Sequence, residues 1–228
     1  EEWKRLSLKN YNIIKKLTKE EVYHCYKDKE GVKVFLDDYA YLVQLMINFY
    51  EITGELNYLN DAKIMAQKTW DLFYDKSNKI LQKNLIDKND LFVPPSDVND
   101  SNIPNGNSIF LLSCKKLEVI TGDLKWQNIT KELVQSFHSF LNLQSTQMVS
   151  YIKNMDMCEH LQTFTFFGDI KKYKTLHQYV KKNYLRASTL IYKEDPKENY
   201  LIVCKNQTCS NKIKTIEELK SVVKNYAI

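Results

Sequence analysis

Glycine and proline are scarce, at five and four residues in a chain of 228. So few turn-formers disfavour an all-β fold of many short strands. Arginine is scarcer still: Arg5 and Arg186 stand alone, and lysine supplies nearly all of the basic charge. Proteins that read nucleic acid lean on arginine and cluster their basic residues. Here lysines alternate with acids, as in Lys15-Lys16-Leu17-Thr18-Lys19-Glu20-Glu21, so the net charge of +5 is background composition and no nucleic-acid partner is expected. No apolar run approaches the roughly eighteen residues of a membrane-spanning helix, and no membrane partner is expected. The five cysteines are odd in number and include no Cys-x-x-Cys, and His24, His138, His160 and His177 do not form His-Glu-x-x-His. No metal site and no cofactor is therefore expected. A chain of this size needs no disulfide staples, so this cysteine usage points to a reducing compartment, the cytoplasm. The glycosylation patterns at Asn99, Asn128 and Asn206 carry no weight without secretion. The chain opens Glu1-Glu2-Trp3, with neither Met nor an apolar leader, and is expected to be a piece of a longer protein.

What is present is a globular composition, 43% hydrophobic, 12% aromatic and 27% charged. Apolar spacing predicts helices over Leu6–Leu17, Asp37–Thr53, Tyr58–Tyr74, Ser108–Thr121, Leu124–Leu143 and Met148–Leu161. Val22–Tyr26 reads as an extended piece ending in a polar turn over residues 27–31. A short β-hairpin is expected to join Ile80-Leu81 with Leu85-Ile86. Beyond residue 145 the texture changes. Thr163–Phe167, Ser188–Tyr192 and Tyr200–Cys204 read as strands, Tyr173–Tyr184 as a helix. Ile216–Tyr226 reads as a closing helix capped by Thr215 and Glu218. The middle helices fall into two hairpins that echo each other. Residues 51–59 read Glu-Ile-Thr-Gly-Glu-Leu-Asn-Tyr-Leu and residues 119–127 read Val-Ile-Thr-Gly-Asp-Leu-Lys-Trp-Gln. A repeated helix–turn–helix unit marks an α/α solenoid or toroid.

Three segments carry candidate chemistry. In Phe35-Leu36-Asp37-Asp38-Tyr39-Ala40, an acid at a helix start either caps backbone N–H groups or, at the inner end of a barrel helix, binds sugar hydroxyls or acts as acid or base. The run from Asp97 to Ser108 is dense in polar side chains and opens onto a helix, which suits either a functional loop or a solvated turn with a cap. Cys204-Lys205-Asn206-Gln207-Thr208-Cys209 is open to a disulfide, to metal binding with partners elsewhere, or to two ordinary thiols. The histidines have no distinguishing spacing.

Together the three segments resemble the C-terminal part of the YyaL-type proteins, whose animal members are called spermatogenesis-associated thioredoxin-domain proteins. The matching residues are Phe35-Leu36-Asp37-Asp38-Tyr39-Ala40, then Asp97-x-x-Asp100-x-x-x-Pro104-x-Gly106-Asn107-Ser108, then Val203-Cys204-x-x-x-x-Cys209, over residues 20–225. The resemblance implies an N-terminal thioredoxin-like domain followed by an (α/α)6 barrel related to N-acylglucosamine 2-epimerases and six-hairpin glycosidases. This chain would hold the later hairpins and a terminal α/β piece; the thioredoxin-like domain and the first half of the barrel would be its missing partners. Two departures touch the pocket loop. Asn105 stands where the family has Ser, and Pro94 where a basic residue is common.

The expected fold is accordingly mainly α: a partial (α/α)6 toroid of helical hairpins over residues 1–145, with a helix and a small α/β element over 146–228. The leading functional expectation is a barrel that binds or processes a carbohydrate-like polar ligand through Asp37, Asp38, Asp97, Asp100, Asn107 and Ser108. Hydrolysis needs two carboxyl groups roughly 5–9 Å apart. Epimerisation needs bases, usually His, on both faces of a carbon, and no histidine here sits in a motif. The rival expectation is a non-enzymatic scaffold or client-binding module. Cys204 and Cys209 are candidates for a redox role.

Overall fold

The long helices form where apolar residues recur every three to four positions, and two of them stop at a glycine, Gly54 and Gly122. A computed structural model describes residues 2–17, 22–25, 34–85, 98–184, 188–206 and 208–224. The turn at 27–31, together with Ile86, Pro94 and Asp97, lies outside these residues. Helix α1 spans Glu2–Leu17, α2 Leu36–Thr53, α3 Leu56–Phe73, α4 Gly106–Thr121, α5 Leu124–Gln144 and α6 Val149–Glu159. Helices α2 and α3 pack as one hairpin and α4 and α5 as the next; α2 lies along α4, and α4 along α6. Tyr11 of α1 docks on this body against Phe49 and Tyr58. The chain is thus mainly helical, with hairpins set side by side.

The echoed sequence builds the same turn twice. Gly54 and Gly122 both adopt a left-handed backbone, φ 77° and 71°, and donate to the carbonyls of Tyr50 and Glu118, each at 2.7 Å. Thr53 and Thr121 bond back to the carbonyls of Phe49 and Leu117 and accept from the backbone N–H of Glu55 and Asp123. The aromatic that follows, Tyr58 in one copy and Trp126 in the other, is buried beneath the turn.

The expected hairpin between Ile80-Leu81 and Leu85-Ile86 is corrected. Strand β2 (Ile80–Leu81) pairs instead with β1 (Tyr74–Asp75). The cause is Asp75, whose carboxylate accepts from Ser77, Asn78 and Gln82 and so fixes the intervening turn. Asn84 makes only an isolated bridge, to Phe35.

Strands β3 (Gln162–Phe167), β4 (Ser188–Lys193), β5 (Tyr200–Lys205) and β6 (Thr208–Cys209) form a mixed sheet in the order β4-β3-β5-β6. Helix α7 (Lys174–Asn183) connects the parallel pair β3 and β4; β5 and β6 run antiparallel. Phe164, Phe166, Leu190, Leu201 and Val203 pack with Leu176 and Val180 of α7 and Leu219 of α8 (Ile216–Lys224) in a second core. Thr215 and Glu218 close the capping box at the start of α8. Met148 and Tyr151 belong to the helical core, so α6 packs with the hairpins rather than with the sheet. No described helix is long and apolar enough to cross a membrane.

Candidate functional site

Apart from Asp97, outside the described residues, the structure brings the residues of the first two segments together at the N-terminal ends of α2, α4 and α6. It uses most of them as structural bonds. Asp38 accepts from the backbone N–H of Phe35 at 3.0 Å and meets the imidazole of His24 at 3.0 Å. The cap on α2 therefore falls to Asp38. Asp37 lies against Gly106, where a Cβ would sit 2.4 Å from its Oδ1. This close approach is why glycine opens α4.

Asp100 ties the loop to α6. Its Oδ1 accepts from the backbone N–H of Asn105 at 2.9 Å and from the hydroxyl of Ser150; its Oδ2 accepts from the backbone N–H of Ser150 at 2.6 Å. Asn105, at the position where the resembled family has Ser, caps α4 by accepting from the N–H of Asn107 at 2.8 Å. Asn107 is fully buried, at 0% exposure. Its amide donates to the carbonyl of Leu81 at 2.8 Å and accepts from the N–H of Leu81 at 3.1 Å, serving β2 as a neighbouring strand would. Ser108 donates to the carbonyl of Asn105 at 2.8 Å and touches the hydroxyl of Ser150 at 2.6 Å. The hollow left among Asp37, Lys83, Asn99, Ser101 and Gly106 holds about 20 Å³. That is room for about one water molecule.

A larger cleft, of about 580 Å³, opens elsewhere, between the α2–α3 turn and the carboxyl ends of the parallel strands β3 and β4. Gly54, Leu56, Asp169, Tyr192, Glu194 and Pro196 are among its walls. Ligands of open α/β sheets favour this end of the strands, and the volume falls within the usual range of small-molecule sites. Asp169 and Asp195 are partly committed there, accepting from the backbone of Lys171 and of Lys197 and Glu198. Backbone donation at Lys197 and Glu198 holds the Asp195 carboxyl below its ordinary value.

Sequence reading missed the polar joint between the two cores. Glu51, 1% exposed, is paired with Lys116 at 2.8 Å, and its Oε1 accepts from the Thr189 hydroxyl at 2.6 Å and the Leu190 N–H at 3.3 Å. The Tyr192 N–H donates to the Tyr50 hydroxyl at 3.2 Å, so the end of α2 covers N–H groups of β4, which lies at one edge of the sheet. The Tyr192 hydroxyl donates to the Glu51 carbonyl at 2.5 Å and lies 2.7 Å from Nε2 of the buried His177. The one available signal was a glutamate in the last turn of an apolar helix, where the helix dipole disfavours an acid.

Cys204 and Cys209 are disulfide-bonded, with Cα atoms 4.0 Å apart in the β5–β6 hairpin. Cys114 is buried, and burial pushes the Cys158 thiol up to about 12. Among the described residues no group of three or more His, Cys, Asp or Glu side chains is placed to hold a metal ion. Compared with models of protein families and with curated proteins, the chain matches none.

Proposed function

We propose that this chain is a non-enzymatic scaffold, a row of helical hairpins that carries a small mixed sheet for a partner domain. The observation that supports this reading is the closure of the polar loop. Asp100, Asn105, Asn107 and Ser108 spend their hydrogen bonds on backbone and on Ser150, around a hollow of about 20 Å³. Small-molecule sites usually need about 300–1,000 Å³. The resemblance to YyaL-type proteins supplies the partner: a thioredoxin-like domain and the other hairpins of an (α/α)6 toroid, with the scaffold presenting clients to the redox domain. The odd cysteine count in a chain that needs no staples supports a reducing compartment, the cytoplasm, for this work.

A second reading, a bound carbohydrate-like ligand, is favoured by the cleft of about 580 Å³ beside Tyr192 and Glu194. Isothermal titration of the chain with a panel of mono- and disaccharides separates the two. The scaffold reading predicts no saturable heat at millimolar sugar. Binding that Glu194→Ala removes would move the function to the cleft. Binding that Asp100→Asn removes, at unchanged stability, would return it to the polar loop.

A further inference from the structure

We propose that Cys204 and Cys209 form a redox-active disulfide that exchanges with an external dithiol while the surrounding sheet stays folded. The pair sits directly across β5 and β6 at the outer edge of the sheet, and Cys209 is exposed on a strand only two residues long. The anchors of the neighbouring chain do not depend on the sulfurs. The Ser210 N–H donates to the Val203 carbonyl at 2.8 Å, and Leu201 and Ile213 exchange two backbone bonds at 2.8 and 2.9 Å. Opening the disulfide therefore releases only the tip of the hairpin. The bond spans five residues, and so short a loop restrains the unfolded chain less than a long one does. A chain with two packed cores has little need of such a staple. Where disulfides occur in a reducing compartment they are usually transient, catalytic or sensing. The inference rests on the hairpin and on the reducing compartment expected from the sequence, and does not depend on the scaffold reading.

The exchange is balanced by the dithiol. Its first thiolate attacks Sγ of Cys209, the more exposed residue of the pair; the Cys204–Cys209 bond breaks, and its electron pair leaves on Sγ of Cys204, which takes a proton. The second thiolate of the dithiol then attacks its own sulfur in the mixed disulfide and releases the Cys209 thiolate, which is protonated in turn. The dithiol ends as a disulfide and the protein pair as two thiols.

The test uses the whole chain in dithiothreitol mixtures of graded reduced-to-oxidised ratio, quenched with N-ethylmaleimide and mapped by mass spectrometry. Labelling of Cys204 and Cys209 is expected to rise together at least tenfold on reduction and to fall again with oxidised dithiothreitol, with the circular dichroism spectrum unchanged throughout. Two labelled thiols in the air-oxidised chain would overturn the proposal, as would a bond that yields only after urea unfolds the protein. The C204S/C209S variant should fold with the parent spectrum; failure to fold would make the bond structural and also overturn it.

Discussion

Asp100 accepts from the backbone of Asn105 and of Ser150, so one carboxylate joins the start of α4 to the start of α6. Charge-assisted bonds of this kind are strong, and the loss of a cap costs about 1 kcal/mol. Asp100→Ala, which loses two such backbone bonds of cap-like strength, should therefore lower stability by about 2 kcal/mol in urea unfolding. Glu51 carries a different risk. With Lys116 removed it is a buried charge without its ion pair, and breaking such a pair costs about 3–5 kcal/mol. Lys116→Ala should fall in that range. Glu51→Gln together with Lys116→Met should recover much of the loss, read as a coupling energy in a double-mutant cycle. The polar loop was legible as a special segment because polar density before a helix is unusual. Its use was not, because a cap and a ligand contact draw on the same residue types. The Glu51 joint was hidden for another reason: its partners come from 65 and 138 residues away.

At the scale of elements, the hairpins were the most legible part. Ile-Thr-Gly twice over specified the same left-handed cap, and the helices lie within a few residues of where apolar spacing puts them. Gly122 has open space where a Cβ would go, yet its φ of 71° disfavours any side chain. Gly122→Ala should thus cost about 1 kcal/mol through backbone strain alone. The β1–β2 turn was misread because the donors that fix Asp75 are side chains and local N–H groups, which follow no hydrophobic pattern. Burial by itself would raise the Asp75 carboxyl. The donors Gln82, Ser77 and Asn78 outweigh burial and leave it below its ordinary value of 3.8. A depressed carboxyl contributes stability above its unfolded value, and the contribution fades as pH falls through the lower folded value. Stability measured from pH 5 down to 2 should therefore fall less steeply in Asp75→Asn than in the parent.

For the whole molecule, the helical body and the sheet are separate cores that meet at a polar seam, with Tyr192 packed against both. The end of α2 both covers N–H groups of β4 and supplies the Glu51 pair, which protects a strand edge that would otherwise be open to pairing with another chain. The change of texture near residue 145 announced two kinds of structure; only the fold could show that α6 stays with the hairpins, because Tyr151 stacks on Phe137 of α5. On the proposed scaffold reading the polar loop is a structural joint, and Asn107 is its most deeply buried side chain. Asn107→Ala leaves the N–H and carbonyl of Leu81 without their partners, at roughly 1–3 kcal/mol for each buried group. Urea unfolding of this variant should show a loss of about 2–6 kcal/mol with an unchanged denaturant slope. Stability within about 0.5 kcal/mol of the parent, the range of a neutral surface change, would contradict a structural role for the loop.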